Sequence, residues 1–216
     1  TVTGVQTCAL PIWEMAEQHR NHPSILLWGI LNECASEAPE ARGMYVEQFA
    51  AIRERDRTRP TTFACDKHAN DICQDLPDVC SWNLYPLWYH DGDPAKHFDW
   101  ILEQHHARVG QKPVIISEIG AGGIPGLRDP LRRSKWSEDG QAEILGRQLD
   151  SLLWHPRICG LFIWQFCDCR VDLNWWSIGR PGGINDKGIV DRWRRPKLAF
   201  ATVAERFARH RDGLGS

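Results

Sequence analysis

The chain has 216 residues, 42% of them hydrophobic and 25% charged, and its 26 Lys and Arg against 28 Asp and Glu give a formal net charge of -2. Without a basic surplus or a basic run, nucleic acid is not an expected partner. The longest mainly apolar stretch, Ile25 to Leu31, is far shorter than the roughly 20 residues a membrane helix needs, so no membrane partner is expected either.

The first twelve residues, TVTGVQTCALPI, lack the basic start and long apolar centre of a signal peptide and show neither a helical nor a strand period. They are similar to the translation of a sequencing adapter. Residues 1–12 are therefore expected to be a non-native leader ahead of one domain over 13–216.

From Trp13 to Arg20 the pattern predicts the end of a helix, and Ile25 to Leu31 a fully buried strand. Glu40 to Arg57 predicts a helix with Tyr45, Phe49 and Ile52 on its apolar face. Strands are predicted at Thr61 to Cys65 and at Asp78 to Leu84, joined by a connection too short for a full helix. Pro94 to Arg108 predicts a helix with Phe98, Ile101, Leu102 and His105 at helical spacing. A strand at Pro113 to Ile119, a helix at Gln141 to Trp154, a strand at Gly160 to Phe166 and a closing helix at Lys197 to Arg209 follow. Five strands alternating with helices make the fold class α/β with a parallel sheet, either doubly wound or part of an eight-stranded barrel.

Eight cysteines could suggest a disulfide framework, but a chain of this length buries a core without staples. Those at 34, 65, 159, 167 and 169 lie in or beside apolar runs and read as free thiols packed as small hydrophobes. No Cys/His spacing suits zinc, and Cys167 with Cys169 cannot complete a tetrahedral site, so neither a metal nor a cofactor is expected. The 11 tryptophans suit both core packing and stacking on sugar rings.

Two predicted strands run straight into a carboxylate: ILLWGILNE ends at Glu33 and PVIISE at Glu118. Strand C-termini are where α/β enzymes place reacting groups. In a closed eight-stranded barrel the first and fourth of these strands stand about 14 Å apart at their ends, which leaves roughly 5 to 6 Å between inward-pointing carboxyl groups. That spacing approaches the range used by retaining glycosidases. The run GAGG at 120 to 123 also follows a strand, yet it lacks dinucleotide-loop spacing, and Pro125 and Pro130 occupy the place of a phosphate-binding helix.

RNHPSILLWGILNE at 20 to 33, SWNLYPLWYH at 81 to 90, PVIISEIG at 113 to 120, GLFIWQFCD at 160 to 168 and GRPGGINDKGIVDRWRRPK at 179 to 197 together resemble the catalytic TIM barrel of family 2 glycoside hydrolases. The likeness is closest to the family's β-glucuronidases and runs from about Trp13 to Phe207. It implies strands four to eight of a (β/α)8 barrel, with a jelly-roll and an immunoglobulin-like domain upstream. It also implies a retaining exo-β-glycosidase acting on terminal β-D-glucuronides through a covalent glycosyl-enzyme. β-Galactosidase, β-galacturonidase or β-mannosidase activity, or a non-catalytic carbohydrate-binding fragment, are the alternatives. The implied partner is a carbohydrate or glycoside substrate, and a homo-oligomeric parent enzyme is compatible with it.

By the same resemblance Glu33 is the general acid/base and Glu118 the nucleophile, whose negative charge favours retention of a proton by Glu33. Asn32 is expected to bind the sugar 2-OH, Tyr85 to orient Glu118, and Trp164 to pack under the sugar. Asn185 and Lys187 match an Asn-x-Lys motif that contacts the sugar carboxylate, and Tyr89 and Arg180 match further contacts on that side. Ile184 is an extra residue before this motif, and Asp186 within it would repel a uronate if it pointed inward. The Arg-rich stretch from Arg192 to Lys197 reads as a solvated charged face without a role.

Overall fold

The computed structural model describes residues 4–172 and 179–213, with side chains from Leu10 onward. In chain order the regular elements are α1 (Gly4–His19), β1 (Trp28–Asn32), α2 (Arg42–Arg55), β2 (Thr61–Cys65), β3 (Cys80–Asn83) and α3 (Pro94–Val109), followed by β4 (Val114–Ile119), α4 (Glu138–Leu152), β5 (Ile158–Ile163), β6 (Cys169–Arg170), β7 (Ile184–Asn185) and α5 (Leu198–Arg211). β1 to β5 form one parallel sheet in sequence order, the arrangement consecutive strand-helix units produce. β6 and β7 add a small antiparallel ribbon that pairs Cys169 with Asn185 and Arg170 with Ile184. Among the described residues no helix is long and apolar enough to cross a membrane. The chain divides into two compact units, Thr1–Asn83 with Trp100–Ile115, and Leu84–Asp99 with Ile116–Ser216.

In the first unit the apolar face read from α2 is buried as predicted: Tyr45 and Phe49 meet Phe63 of β2 edge-on, with ring centroids 5.0 and 6.1 Å apart. Ile52 joins Trp28, Ala51, Ala16 and Ile12 in a second apolar cluster. That cluster holds the end of α1, the part read from the sequence at Trp13 to Arg20. Ile12 and Ala16 sit one turn apart and bury against α2, although the residues before them carry no helical period. β1 begins at Trp28, because the turn closed by Ile25 N donating to His22 O holds the preceding residues out of the sheet. The predicted full burial of Ile25 to Leu31 does not hold: Leu26 is 79% exposed. Among the described residues β1 pairs only with β2, and only Trp28 within it is buried. Buried Asp56 ends α2 and ties the cluster down, accepting from Trp28 Nε1 at 3.0 Å and from Thr58 and Arg59. Burial alone would raise its carboxyl, but these bonds hold it well below the usual carboxylate range. The connection between β2 and β3 contains one 3-10 turn, His68–Asn70, in keeping with its length.

In the second unit α4 starts at Glu138, three residues earlier than the apolar period suggests. Ser137 caps it by accepting from Gly140 N at 2.9 Å, and Glu138 and Asp139 fill its first turn. Glu138 also accepts from Leu198 N, fastening the start of α5 to the start of α4. The GAGG run is a packing device. A Cβ on Gly120 would stand 2.2 Å from Trp164 O, and one on Gly122 2.7 Å from the Trp136 ring. None of the seven described cysteines is in a disulfide; Cys65, Cys73 and Cys80 are buried. Cys159 and Cys169 are exposed, contrary to their reading as buried hydrophobes, while Cys8 lies outside the described side chains.

Candidate active site

In the first unit the end of β1 is irregular. The register with β2 shifts between Gly29 and Asn32, and Glu33 sits at a φ of 52°, a left-handed conformation that is unfavourable for a side chain with a Cβ. Such backbone persists only where its surroundings hold it. Glu33 N donates to Ala64 O at 3.0 Å, and Asn83 Nδ2 donates to Glu33 Oε1 at 2.8 Å and to Asn32 Oδ1 at 3.0 Å. Asn83 closes β3 and is buried, and its own carbonyl is 3.2 Å from His68 Nε2. Asn32 and Glu33 are exposed.

In the second unit Glu118, on β4, accepts a short hydrogen bond from Tyr85 Oη, while Leu84 N donates to its carbonyl at 2.8 Å. Tyr85 meets Tyr89 edge-on at 5.2 Å, and Trp88 meets Tyr89 at 6.2 Å and Trp136 at 4.9 Å. Into this aromatic group points the buried ammonium of Lys187. Its Nζ lies 5.1 to 5.5 Å from the ring centroids of Tyr85, Trp88 and Tyr89 and donates to Tyr89 Oη at 2.9 Å. Burial lowers the Lys187 ammonium below the ordinary lysine value, against the pull of Tyr89 and of the charge on Glu118. Burial alone would raise the Tyr89 phenol, but the hydrogen bond and charge of Lys187, with Arg180, bring it below its usual value. Among the described residues the half-buried Arg180 leaves its buried Nε without an acceptor. Asn185 Oδ1 accepts from Lys187 N at 3.3 Å, so its amide oxygen is turned into its own loop. Trp164 follows β5, is 42% exposed and enters through its backbone, its N donating to Ile119 O.

Asp186 is buried. Burial, then the charge of Asp168, pushes its carboxyl up to about 6, with Lys197 and Arg180 opposing. A carboxyl raised in the folded state from 3.8 to about 6 loses stability as pH climbs through that window, by at most about 3 kcal/mol. Asp186→Asn is therefore expected to raise the melting temperature at pH 7.5 and to raise it only about a third as much at pH 4.5, as differential scanning fluorimetry would read. An equal gain at both pH values would remove Asp186 as the cause.

Of the residues singled out from the sequence, the first unit brings together Asn32 and Glu33, and the second Glu118, Tyr85, Tyr89, Arg180, Asn185 and Lys187. Asn83 was missed, although it ends a buried strand two residues before Tyr85 in SWNLYP. Trp88, in the same stretch, was given no role. Lys197 corrects the reading of the Arg-rich stretch: Arg192, Arg194 and Arg195 are exposed, but Lys197 is buried and paired with Asp168. Among the described residues no group of three or more His, Cys, Asp or Glu side chains could hold a metal ion.

Residues 5–210 match the family model for glycosyl hydrolases family 2, TIM barrel domain. The chain belongs to glycoside hydrolase family 2. It is 33% identical over 213 residues to a β-glucuronidase of Mus musculus, covering 94% of this chain and 31% of that protein. A β-glucuronidase of Bacteroides fragilis is 31% identical over 184 residues, covering 82% and 26%. Among solved structures, a β-galacturonidase of this family from Eisenbergiella tayi, bound to galacturonate, superposes with a TM-score of 0.90 at 43% identity, covering 94% of this chain and 36% of that one. A β-D-glucuronidase of Dictyoglomus thermophilum gives 0.85 at 26% identity over 94% and 35%. The chain thus spans about a third of the length of the family 2 relatives it matches. β1 to β5 are one continuous run of neighbouring strands, as expected for part of the family 2 barrel.

Proposed function

We propose that the complete enzyme is a retaining exo-β-glycosidase that hydrolyses terminal β-linked uronides, with Glu118 as nucleophile and Glu33 as general acid/base. The observation that carries the uronide is the Lys187 ammonium, buried among three aromatic rings beside Arg180 and held by Tyr89. A sugar carboxylate there gains a desolvated cation and planar donors, which a neutral hydroxymethyl group cannot use.

In the first step a Glu118 oxygen attacks the anomeric carbon as the glycosidic C–O bond breaks, and Glu33 gives its proton to the departing oxygen. In the second, Glu33 takes a proton from water, which attacks the same carbon and releases Glu118. Tyr85 donates to Oε2 of Glu118, which orients the carboxylate for attack. Asn83 donates to Oε1 of Glu33, which leaves Oε2 to carry the proton. The same Asn83 amide occupies Asn32 Oδ1, so Asn32 offers its N–H groups to the sugar 2-OH. Trp164 forms the apolar floor.

β-D-glucuronides fit the curated relatives, and the 43% identity to the β-galacturonidase favours β-D-galacturonides as a second reading. Initial rates of the complete enzyme on aryl β-D-glucuronide, β-D-galacturonide and β-D-galactoside test both. Either uronide should exceed the galactoside; a preference for the galactoside would overturn the uronide reading. Asn83→Ala is expected to lower kcat/KM about 10-fold on phenyl uronides, whose leaving group needs a proton, and far less on dinitrophenyl uronides. Equal losses on both would separate Asn83 from the acid.

A further inference from the structure

The two residues beside Lys187 are held from below by a buried ion pair with no part in the chemistry described above. Lys197 Nζ donates to Asp168 Oδ1 at 2.9 Å, to Gly123 O at 2.7 Å and to Asp186 O at 3.0 Å, so each of its three protons has a partner. Asp168 Oδ1 in turn accepts from Gly188 N at 2.8 Å. Gln141 Nε2 donates to Gly188 O and to Ala121 O, each at 2.9 Å, and Gly123 N donates to Asp186 O at 2.8 Å. Asp186 and Gly188 are thereby pinned on either side of Lys187, and Gln165 N donates to the carbonyl of Lys187 itself at 3.1 Å. Gly188 admits no Cβ here, since one would stand 2.3 Å from Asp168 N. The side chains of Lys197 and Asp168 are only 1% and 2% exposed. A buried ion pair adds little net stability over an apolar pair of the same volume, but it specifies one arrangement of the groups around it.

We infer that Lys197 and Asp168 are positioning residues for substrate choice: through the backbone of Asp186 and Gly188 they set where the Lys187 ammonium stands, and with it the preference for a carboxylate-bearing sugar. The inference rests on the uronide reading of Lys187. It extends that reading to two residues which touch neither the sugar nor the ammonium.

The test compares kcat/KM for an aryl β-D-uronide with that for the matching neutral glycoside in the complete enzyme. Lys197→Met and Asp168→Asn are each expected to reduce the uronide value about 10²-fold, the scale on which small misplacements act. The neutral value should stay within about 3-fold, so the ratio collapses. A merely structural role would depress both substrates together and leave the ratio intact, which would overturn the inference. If a single variant fails to fold because one charge is left unpaired, Lys197→Met/Asp168→Leu removes both charges and Gln141→Met loosens only the Gly188 clamp; both should show the same ratio change. Lys187→Ala serves as reference. If it leaves the ratio unchanged, the uronide reading itself fails; if it lowers the ratio and the pair variants do not, only the present inference fails.

Discussion

Glu118→Gln in the complete enzyme is expected to lower kcat on an aryl β-D-uronide by at least about 10⁴-fold, the scale of losing a group that acts as a unit with its partners. The amide keeps the shape of the carboxylate and can still accept from Tyr85 Oη, so KM and melting temperature should change little. What is lost is the negative charge that makes the attacking oxygen nucleophilic enough to form the glycosyl-enzyme. Azide distinguishes the two carboxylates. In Glu118→Ala it enters the vacated space and attacks from the nucleophile's side, giving an α-glycosyl azide. In Glu33→Ala the glycosyl-enzyme still forms, and azide then attacks from the opposite face, giving the β-anomer. Exchange of the two products would exchange the roles, and more than about 1% residual turnover in Glu118→Gln would place the nucleophile elsewhere.

The acid/base end and the carboxylate end of the proposed site depend on different kinds of support. Glu33 depends on strained backbone at φ 52° and on one buried amide, Asn83, whose two protons fix both Asn32 and Glu33. Lys187 depends on a loop clamped at Asp186 and Gly188 and on aromatic faces. In the proposed mechanism the first arrangement selects which oxygen carries a proton, and the second selects which sugar gains a counter-charge.

The strands and their polar ends were legible because each signal is local. Thr61 to Cys65 is bounded by Pro60 and a polar stretch, and Glu33 and Glu118 stand out as carboxylates closing apolar runs. Helix starts were less so: α4 begins at Glu138, capped by Ser137, and not at Gln141, since a cap is one residue while an amphipathic period needs several. Lys197 was illegible for a different reason. It lies in WRRPK among residues that are exposed, and its burial follows from partners 11 to 74 positions away, Asp186, Asp168 and Gly123. Asn83 had a signal, a buried strand ending in a side-chain amide, of the same kind that drew attention to Glu33. The family resemblance supplied the pairing of Asn185 with Lys187, but not the aromatic enclosure, because the Trp88 and Tyr89 rings reach Lys187 across about a hundred residues of sequence.

Lys187→Ala is expected to reduce kcat/KM for the uronide about 10² to 10³-fold while leaving the neutral galactoside unchanged or slightly improved. Among the described residues the Nζ makes one hydrogen bond, to Tyr89 Oη, although an ammonium has three protons to give. The ring faces attract the cation without discharging it, and burial holds its proton less tightly than in water. On the proposed reading a uronate carboxylate accepts from the remaining N–H groups and adds a counter-charge, so the binding energy appears only with a charged sugar. Removing the cation removes that gain and also the cost of burying it, so the variant should melt no lower than the wild type. The same electrostatics predicts a pH signature. Because the folded Lys187 loses its proton below the ordinary lysine range, kcat/KM for the uronide should fall on an alkaline limb that the neutral galactoside does not show, and that limb should vanish in Lys187→Ala. Identical alkaline limbs for both substrates would assign it to another group and remove Lys187 from the recognition of the carboxylate.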